Sequence, residues 1–340
     1  MKYLIFGGTG SLGKKLISRF LSNGDNIAVY SRDEAKHWTI KNELCNFENI
    51  EFFVGDIRDY NRVKEVIYHY KPQVVIVAAA LKQVDTCELS PFESVQTNLL
   101  GTQNVIKSVK ELSQNFNDNW KLEKVLFVST DKACSPVNVY GMCKAISERL
   151  VTSQSKNDST GVKFLCTRYG NVLESRGSII PLFKYQAENS DCLTVTDPDM
   201  TRFVMTLDDS VDLIVKALNN GKSGETWIPK IPSMMIGDLA EIFSSLYNKP
   251  IKVIGLRPGE KKHEDLINDS ESVRTKDIKT HYVIGPAYQV GTEKSFTYTS
   301  ADDVMSKQQL LEKLKDLGII DMPLEKFQGL KIEEIATNRK

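Results

Sequence analysis

Tyr3-Leu4-Ile5-Phe6-Gly7-Gly8-Thr9-Gly10-Ser11-Leu12-Gly13 opens the chain and decides its fold. Apolar residues run straight into glycines, and residues Leu12–Asn23 then carry apolar side chains at helical spacing. That order reads as a buried strand, a tight turn and a helix N-terminus. Gly7 permits the turn, Gly10 lets the backbone approach a pyrophosphate, and Gly13 lets helix and strand pack closely. The N–H groups at the helix start supply a positive end for phosphate oxygens. With Thr9, Ser11 and Leu12, these glycines form one half of an expected dinucleotide site.

The same rhythm continues outward. Strands are expected at Tyr3–Phe6, Ile27–Tyr30, Ile50–Val54, Val74–Ala78, Val125–Ser129 and Lys163–Arg168. Between them, Asn61–His69, Ser94–Leu112 and Val139–Ser153 carry helical spacing, and Ser113–Lys121 reads as a surface loop. Runs such as Val74-Val75-Ile76-Val77 are apolar on both faces, as strands covered by helices on each side must be. The expected fold is α/β, a Rossmann-type doubly wound parallel sheet. Residues 1–171 would hold the cofactor and 172–323 would form a smaller, interleaved substrate-binding domain, with 324–340 a charged tail.

Lys+Arg and Asp+Glu both number 44. This balance argues against a nucleic-acid partner or an anionic membrane surface, which call for a basic excess. The apolar stretch Val74–Leu81 is too short to span a bilayer, and the N-terminus reads as a strand, not a signal peptide. Six cysteines lack any C-x-x-C spacing and read as reduced thiols of a cytoplasmic protein. Four scattered histidines form no metal-ligand spacing, so no metal is expected.

The Gly7…Gly10…Gly13 spacing resembles the short-chain dehydrogenase/reductase superfamily. The second strand ends Val29-Tyr30-Ser31-Arg32, without the carboxylate that would bond a ribose 2′-hydroxyl. Ser31 and Arg32, with Lys36 nearby, suit a 2′-phosphate, which favours NADP over NAD. Asp33 and Glu34 read better as the acidic start of a helix. Asp56 and Ile57 follow the third strand where extended members of the superfamily hold adenine. Ala78, Ala79 and Ala80 are small enough for the cofactor to lie across them, and Lys82 and Asn98 complete the expected cofactor set.

Tyr140-Gly141-Met142-Cys143-Lys144 places a phenol and an ammonium on one helical face. A phenol near its ordinary pKa of about 10 is a poor base at neutral pH. The Lys144 charge would favour phenolate, so that Tyr140 accepts a proton from a sugar hydroxyl. Thr130 stands where the superfamily has its Ser/Thr. Asp131 and Lys132 follow it, and an acid and a base beside a redox pair suggest a second proton transfer, elimination of water.

Here the resemblance becomes specific. Ser129-Thr130-Asp131-Lys132-Ala133 and Pro136-Val137-Asn138-Val139-Tyr140-Gly141 resemble the inverting UDP-N-acetylglucosamine 4,6-dehydratase/5-epimerase family. Ala78–Val84, Thr97-Asn98, Thr167–Val172, Thr196–Arg202 and Arg257–Lys261 extend the likeness over nearly the whole chain. The resemblance implies that Tyr140 takes the C4 hydroxyl proton as hydride leaves C4 for NADP+. Lys132 would then take the C5 proton while Asp131 protonates the departing C6 hydroxyl. Hydride returns to C6 and C5 is reprotonated from the opposite face, giving a UDP-2-acetamido-2,6-dideoxy-L-arabino-hex-4-ulose. A homo-oligomer is expected.

For the UDP-sugar diphosphate, Arg168, Arg176, Arg202 and Arg257 are candidates, Arg202 and Arg257 foremost, because guanidinium binds phosphate oxygens in bidentate fashion. Thr201 belongs to the same stretch. Glu260 would accept from ribose hydroxyls, Asn171, Ser178 and Pro181 would lie near diphosphate or uracil, and Lys82 would reach substrate or cofactor. Three rival readings remain. A UDP-sugar 4-epimerase has no use for Asp131-Lys132. A retaining 4,6-dehydratase carries Asp-Glu there. A cofactor-binding scaffold has no need of Thr130, Tyr140 and Lys144.

Overall fold

From Tyr3 onward every residue of β1 (Lys2–Phe6) is buried, and alternate side chains enter different cores. Tyr3 and Ile5 join Leu16, Ile17 and Phe20 of α1 (Ser11–Ser22), whereas Leu4 and Phe6 join Val63 and Ile67 of the helix Tyr60–Tyr70. A strand apolar on both faces is thereby covered on both faces. This computed structural model describes residues 1–115, 120–157, 160–173, 175, 178–291 and 295–324. Arg176 and the tail beyond Leu324 lie outside the described residues.

The main sheet has nine strands. In chain order they are β1, β2 (Asn26–Ser31), β3 (Ile50–Val54), β4 (Val74–Val77), β5 (Lys124–Val128), β6 (Lys163–Thr167), β7 (Thr226–Pro229), β8 (Thr275–Asp277) and β9 (His281–Ile284). Their spatial order is β8-β9-β7-β6-β5-β4-β1-β2-β3. The strands from β1 to β7 run parallel, and β9 is antiparallel to both its neighbours. This is the expected doubly wound sheet. The order reverses between β1 and β4, and the crevice beyond their C-terminal ends is where such sheets take ligands.

The helices used below are α1, α2 (Glu34–Glu43), α3 (Tyr60–Tyr70), α4 (Gly101–Asn115), α5 (Val139–Thr152), α6 (Ile179–Asn189), α7 (Leu207–Asn220), α8 (Ile236–Tyr247) and α9 (Lys307–Asp316). Leu207, Val211 and Ile214 of α7 share the core of α1, and Val105 and Val109 of α4 share that of α3. A third core joins α6, α8 and α9 through Phe183, Phe243 and Leu310. Among the described residues, no helix is long and apolar enough to cross a membrane.

Three local expectations need correction. Ser94–Leu112 is not one regular helix: Val95–Leu100 is a π-helical segment leading into α4, and it buries Thr97 and Asn98. The expected loop Ser113–Lys121 starts inside α4, which runs to Asn115, and its residues 116–119 lie outside the described residues. Arg168 does not face a ligand. It is buried, donating from Nε to Glu148 at 3.0 Å and from Nη1 and Nη2 to Glu271 at 2.7 and 2.8 Å. That network joins β6 and α5 to the short helix Asp269–Ser272.

Candidate active site

The loop after β1 is shaped by what its glycines exclude. Gly7 has φ +83°, and a Cβ there would lie 2.6 Å from the Ala79 nitrogen. A Cβ at Gly13 would collide with the Gly8 carbonyl. Gly10 differs: the nearest atom to its added Cβ would be the Gly7 carbonyl at 3.5 Å. Among the described residues nothing needs a glycine at position 10, and the helix that it caps has no side-chain cap. An open backbone and an uncapped helix N-terminus fit a pyrophosphate. Thr9, Ser11 and Leu12, with Ala78, Ala79, Ala80 and Lys82 opposite, line the same cleft of about 1290 Å³.

At one end of the cleft stand Ser31, Arg32 and Lys36. Ser31 Oγ accepts from Thr9 Oγ1 at 3.1 Å and lies 2.7 Å from His37 Nε2. Asp33 caps α2, accepting from the Lys36 amide at 3.0 Å, and also pairs with the Lys36 ammonium at 2.6 Å. The acidic pair at 33–34 therefore does start a helix. Gly55 and Ile57 line the cleft, but Asp56 does not. Its carboxylate pairs with Arg58 at 2.7 Å and lies 3.6 Å from Arg32. Asn98 is also absent from the cleft wall. Its amide accepts from the Leu81 N–H at 2.8 Å and donates to the Leu81 carbonyl at 2.9 Å, so it pins the turn after β4.

The ends of β5 and α5 bring Thr130, Asp131, Lys132, Tyr140 and Lys144 to the same cleft. Thr130 caps the single turn Asp131–Ala133, and Asn138 caps α5 by accepting from the Gly141 amide at 2.7 Å. A Cβ at Gly141 would meet the Lys132 carbonyl, so glycine lets the helix start dock against that turn. Asp131 is buried, and its Oδ1 accepts from Thr130 at 2.8 Å and from Lys132 Nζ at 3.1 Å. Its Oδ2 is buried without a hydrogen-bond partner among the described residues.

Burial pushes the Tyr140 phenol up to about 12, and the cation that most opposes this is Lys132. Burial draws the Lys144 ammonium down to about 8, against the pull of Glu148 one turn along. Lys144 donates to the Val128 carbonyl at 2.8 Å and stands 4.3 Å above the Phe127 ring. The charge that bears on Tyr140 here thus comes chiefly from Lys132, not from Lys144 as the spacing suggested. Burial also disfavours a charged Lys132, but Asp131 and Glu264 outweigh it and hold the ammonium above its ordinary range.

Of the residues expected to hold substrate, Asn171, Ser178, Pro181, Arg202, Arg257 and Glu260 line the cleft. The buried Asn171 Oδ1 has no partner among the described residues. Arg202 donates to the carbonyls of Thr201 and Lys261 at 2.7 and 3.0 Å, and its Nε lies 3.8 Å from Glu264. Thr201 is buried away from the wall, its hydroxyl 2.8 Å from His263 Nδ1 and 2.7 Å from Ser300. The Arg257 loop is tied to the start of α5 where Asn138 Nδ2 donates to the Gly259 carbonyl at 2.8 Å. Glu264, 3.1 Å from Lys132 Nζ, was not foreseen, because no short spacing links residues so far apart.

Residues 3–286 match the family model described as polysaccharide biosynthesis protein. The chain belongs to that family. It is a group of extended short-chain dehydrogenase/reductases that includes nucleotide-sugar epimerases and dehydratases. A relative named UDP-glucose 4-epimerase, from Rickettsia rickettsii (strain Sheila Smith), is 41% identical over 289 residues, covering 83% of this chain and 82% of its own. The X-ray structure of Pen from Bacillus thuringiensis is 36% identical, with a TM-score of 0.86 over 94% of this chain and 98% of that one. A dTDP-glucose 4,6-dehydratase from Streptomyces venezuelae, 19% identical, covers 77% of this chain and 86% of its own with a TM-score of 0.67, and so shares the fold.

Proposed function

We propose that the protein is a UDP-N-acetylglucosamine 4,6-dehydratase that inverts C5 and works through a resident NADP. One observation carries this reading: an acid and an amine, Asp131 and Lys132, stand in the wall of the cleft that also holds Thr130 and Tyr140. Exchange of hydride at C4 alone needs Tyr140, Thr130 and Lys144. Beside a redox pair in the same cleft, a carboxylate and an amine supply the acid and base that loss of a hydroxyl needs.

A bound nicotinamide would accept hydride from C4 and return it to C6. Gly10, the uncapped start of α1 and Ala78–Ala80 would hold its pyrophosphate and ribose, and Ser31, Arg32 and Lys36 its 2′-phosphate. Tyr140 takes the C4 hydroxyl proton as the phenolate, which the Lys132 charge and the positive charge of a bound oxidised nicotinamide would favour against burial. With C4 a ketone the C5 proton is acidic, and Lys132 removes it while Asp131 protonates the C6 hydroxyl, which leaves as water. A solvent-derived proton then adds to the opposite face of C5 as hydride reaches C6. In the resting pair Lys132 is charged. Passage of the cleft-facing Nζ proton through solvent to the Asp131 carboxylate breaks an N–H bond and forms an O–H bond. This leaves neutral amine and neutral acid with the net charge unchanged. Arg257 is the guanidinium with most reach for diphosphate, because Arg202 is engaged by carbonyls.

The relative's name favours a second reading, UDP-sugar 4-epimerase, in which Asp131 and Lys132 have no chemical part. Incubation with UDP-N-acetylglucosamine in deuterated water, followed by NMR of the product, separates the two. The dehydratase yields a 4-keto-6-deoxy sugar with solvent deuterium at C5, and the hydrogen arriving at C6 comes from C4. A product that is only the C4 epimer, with its C6 hydroxyl intact, overturns the proposal.

A further inference from the structure

Lys132 Nζ has two carboxylates, not one, at 3.1 Å: Asp131 Oδ1 on its own turn and Glu264 Oε1 from the far end of the chain. Glu264 is buried and does not line the cleft, so it cannot touch a sugar. Its amide accepts the fold's support instead, donating to Ser300 Oγ at 2.9 Å, while Thr201 holds the same serine. Its Oε2 is buried without a hydrogen-bond partner among the described residues. Arg202 Nε, 3.8 Å away, supplies the balancing charge. The four groups alternate in sign: Asp131, Lys132, Glu264, Arg202.

We propose that Glu264 is a positioning residue for Lys132, clamping its nitrogen from behind the cleft wall so that a single proton site faces the sugar. The catalytic part of this inference rests on Lys132 acting at C5. An ammonium has three N–H groups, and one donates to Asp131. The Glu264 carboxylate, at the same distance, holds the ammonium from a second side as an ion pair. One position is left for the cleft, where the Lys132 side chain keeps its exposed part. When the amine is neutral, that third position is the lone pair, and it points where a C5 proton would arrive. Asp131 alone would fix one N–H and leave the nitrogen free to turn about that bond. Two anchors stop the turning, which is what one-faced proton transfer at C5 requires.

The test uses full-length protein with Glu264→Gln, which keeps the shape and removes the charge, and Glu264→Asp, which keeps the charge and shortens the reach. Lysine side-chain NMR follows the Lys132 titration without any reaction. Loss of an adjacent anion should lower that titration by about one unit or more in Glu264→Gln, with Glu264→Asp nearer to wild type. The charged groups facing Lys132 in both variants are Asp131 and Arg202, joined in Glu264→Asp by the new carboxylate, and the Tyr140 phenol is the neutral titratable group beside them. In turnover, kcat of Glu264→Gln should fall ~10–100-fold, as for a misplaced catalytic group, with KM unchanged. Part of its product should lose the inverted C5 configuration, and Glu264→Asp should restore some of both. An unmoved Lys132 titration in folded Glu264→Gln, or wild-type kcat with full inversion, overturns the clamp. A wild-type enzyme that makes only a C4 epimer sinks the dehydratase reading by itself, and the titration then decides for or against the clamp alone.

Discussion

Asn98 and Leu81 exchange two hydrogen bonds, the amide oxygen accepting from the Leu81 N–H at 2.8 Å and the amide nitrogen donating to its carbonyl at 2.9 Å. A side chain from the π-helical segment thus completes the backbone bonding of the turn after β4. The nitrogen also donates to Ser94 Oγ at 3.1 Å, which fixes the amide's orientation. Asn98→Ala should cost about 1–3 kcal/mol of stability, the range for buried groups left unpaired. It should also weaken nicotinamide dinucleotide binding, although Asn98 lies outside the cleft. Chemical denaturation and cofactor titration measure both, and unchanged cofactor affinity would show that the Ala78–Ala80 wall holds its shape without the turn.

Gly10 and Gly13 should respond differently to alanine. Position 13 has no room for a Cβ, so Gly13→Ala should destabilise the fold by about 1–3 kcal/mol, as overpacking does. Position 10 has room until a ligand arrives. Gly10→Ala should therefore melt close to wild type while losing most of its affinity for the cofactor. Thermal melts with and without NADP distinguish the two, because only Gly10→Ala should lose the ligand-induced rise.

Arg32 is half exposed and pairs only loosely with Asp56. Under the NADP proposal, Arg32→Ala should weaken NADP binding by about 1–3 kcal/mol, as for loss of a charged hydrogen bond, with little effect on NAD. Calorimetry with each cofactor settles the matter, and equal weakening of both counts against a 2′-phosphate site.

Lys144 offers a prediction with a definite sign. Its folded pKa of about 8 lies below the ordinary 10.5. Between these values the folded chain has already released a proton that the unfolded chain still holds. The contribution of Lys144 to stability therefore rises with pH through that window and is lost as pH falls through 8. Buried thiols such as Cys134, pushed up to about 12, act in the opposite direction above pH 9, so the comparison must be with Lys144→Met. The stability of wild type relative to this variant should increase from pH 8 to pH 10, by ~3 kcal/mol at most. A flat difference across the window would mean that Lys144 titrates normally.

Removing the phenol hydroxyl with Tyr140→Phe should lower turnover by ~10²-fold or more, as for loss of a general base, with little change in UDP-sugar binding. Pre-steady-state absorbance of the nicotinamide would show whether the loss falls on hydride transfer. Near-full turnover would pass the role of base to Lys132.

The glycine loop, the alternation of apolar runs and the Tyr140–Lys144 spacing were legible because local pattern alone determines them. Arg168 was misread for a physical reason. A guanidinium at the end of a parallel strand looks the same whether it faces a ligand or a core, and its partner Glu271 stands 103 residues away. Thr201 and Asn98 were assigned to ligands for the same reason, since a buried polar side chain must bond to something and the sequence does not say to what. The π-helical turn escaped because one extra residue per turn barely disturbs an apolar stripe. Glu264 carries no local mark at all, and folding alone brings it to Lys132.

The buried contact of Arg168 with Glu148 and Glu271 acts as a rivet between the catalytic helix and the C-terminal half. Swinging those halves apart would pull Glu271 off the Arg168 guanidinium and break two charge-assisted hydrogen bonds, at 2.7 and 2.8 Å, in one step. Entry of a sugar nucleotide must then come from surface segments, with the Asn138–Gly259 bond the nearest one to release. Dissolved ions cannot reach the rivet to screen it, whereas exposed pairs such as Lys15–Asp208 weaken as salt rises. The width of the cleft should accordingly be the same in dilute buffer and in concentrated brine.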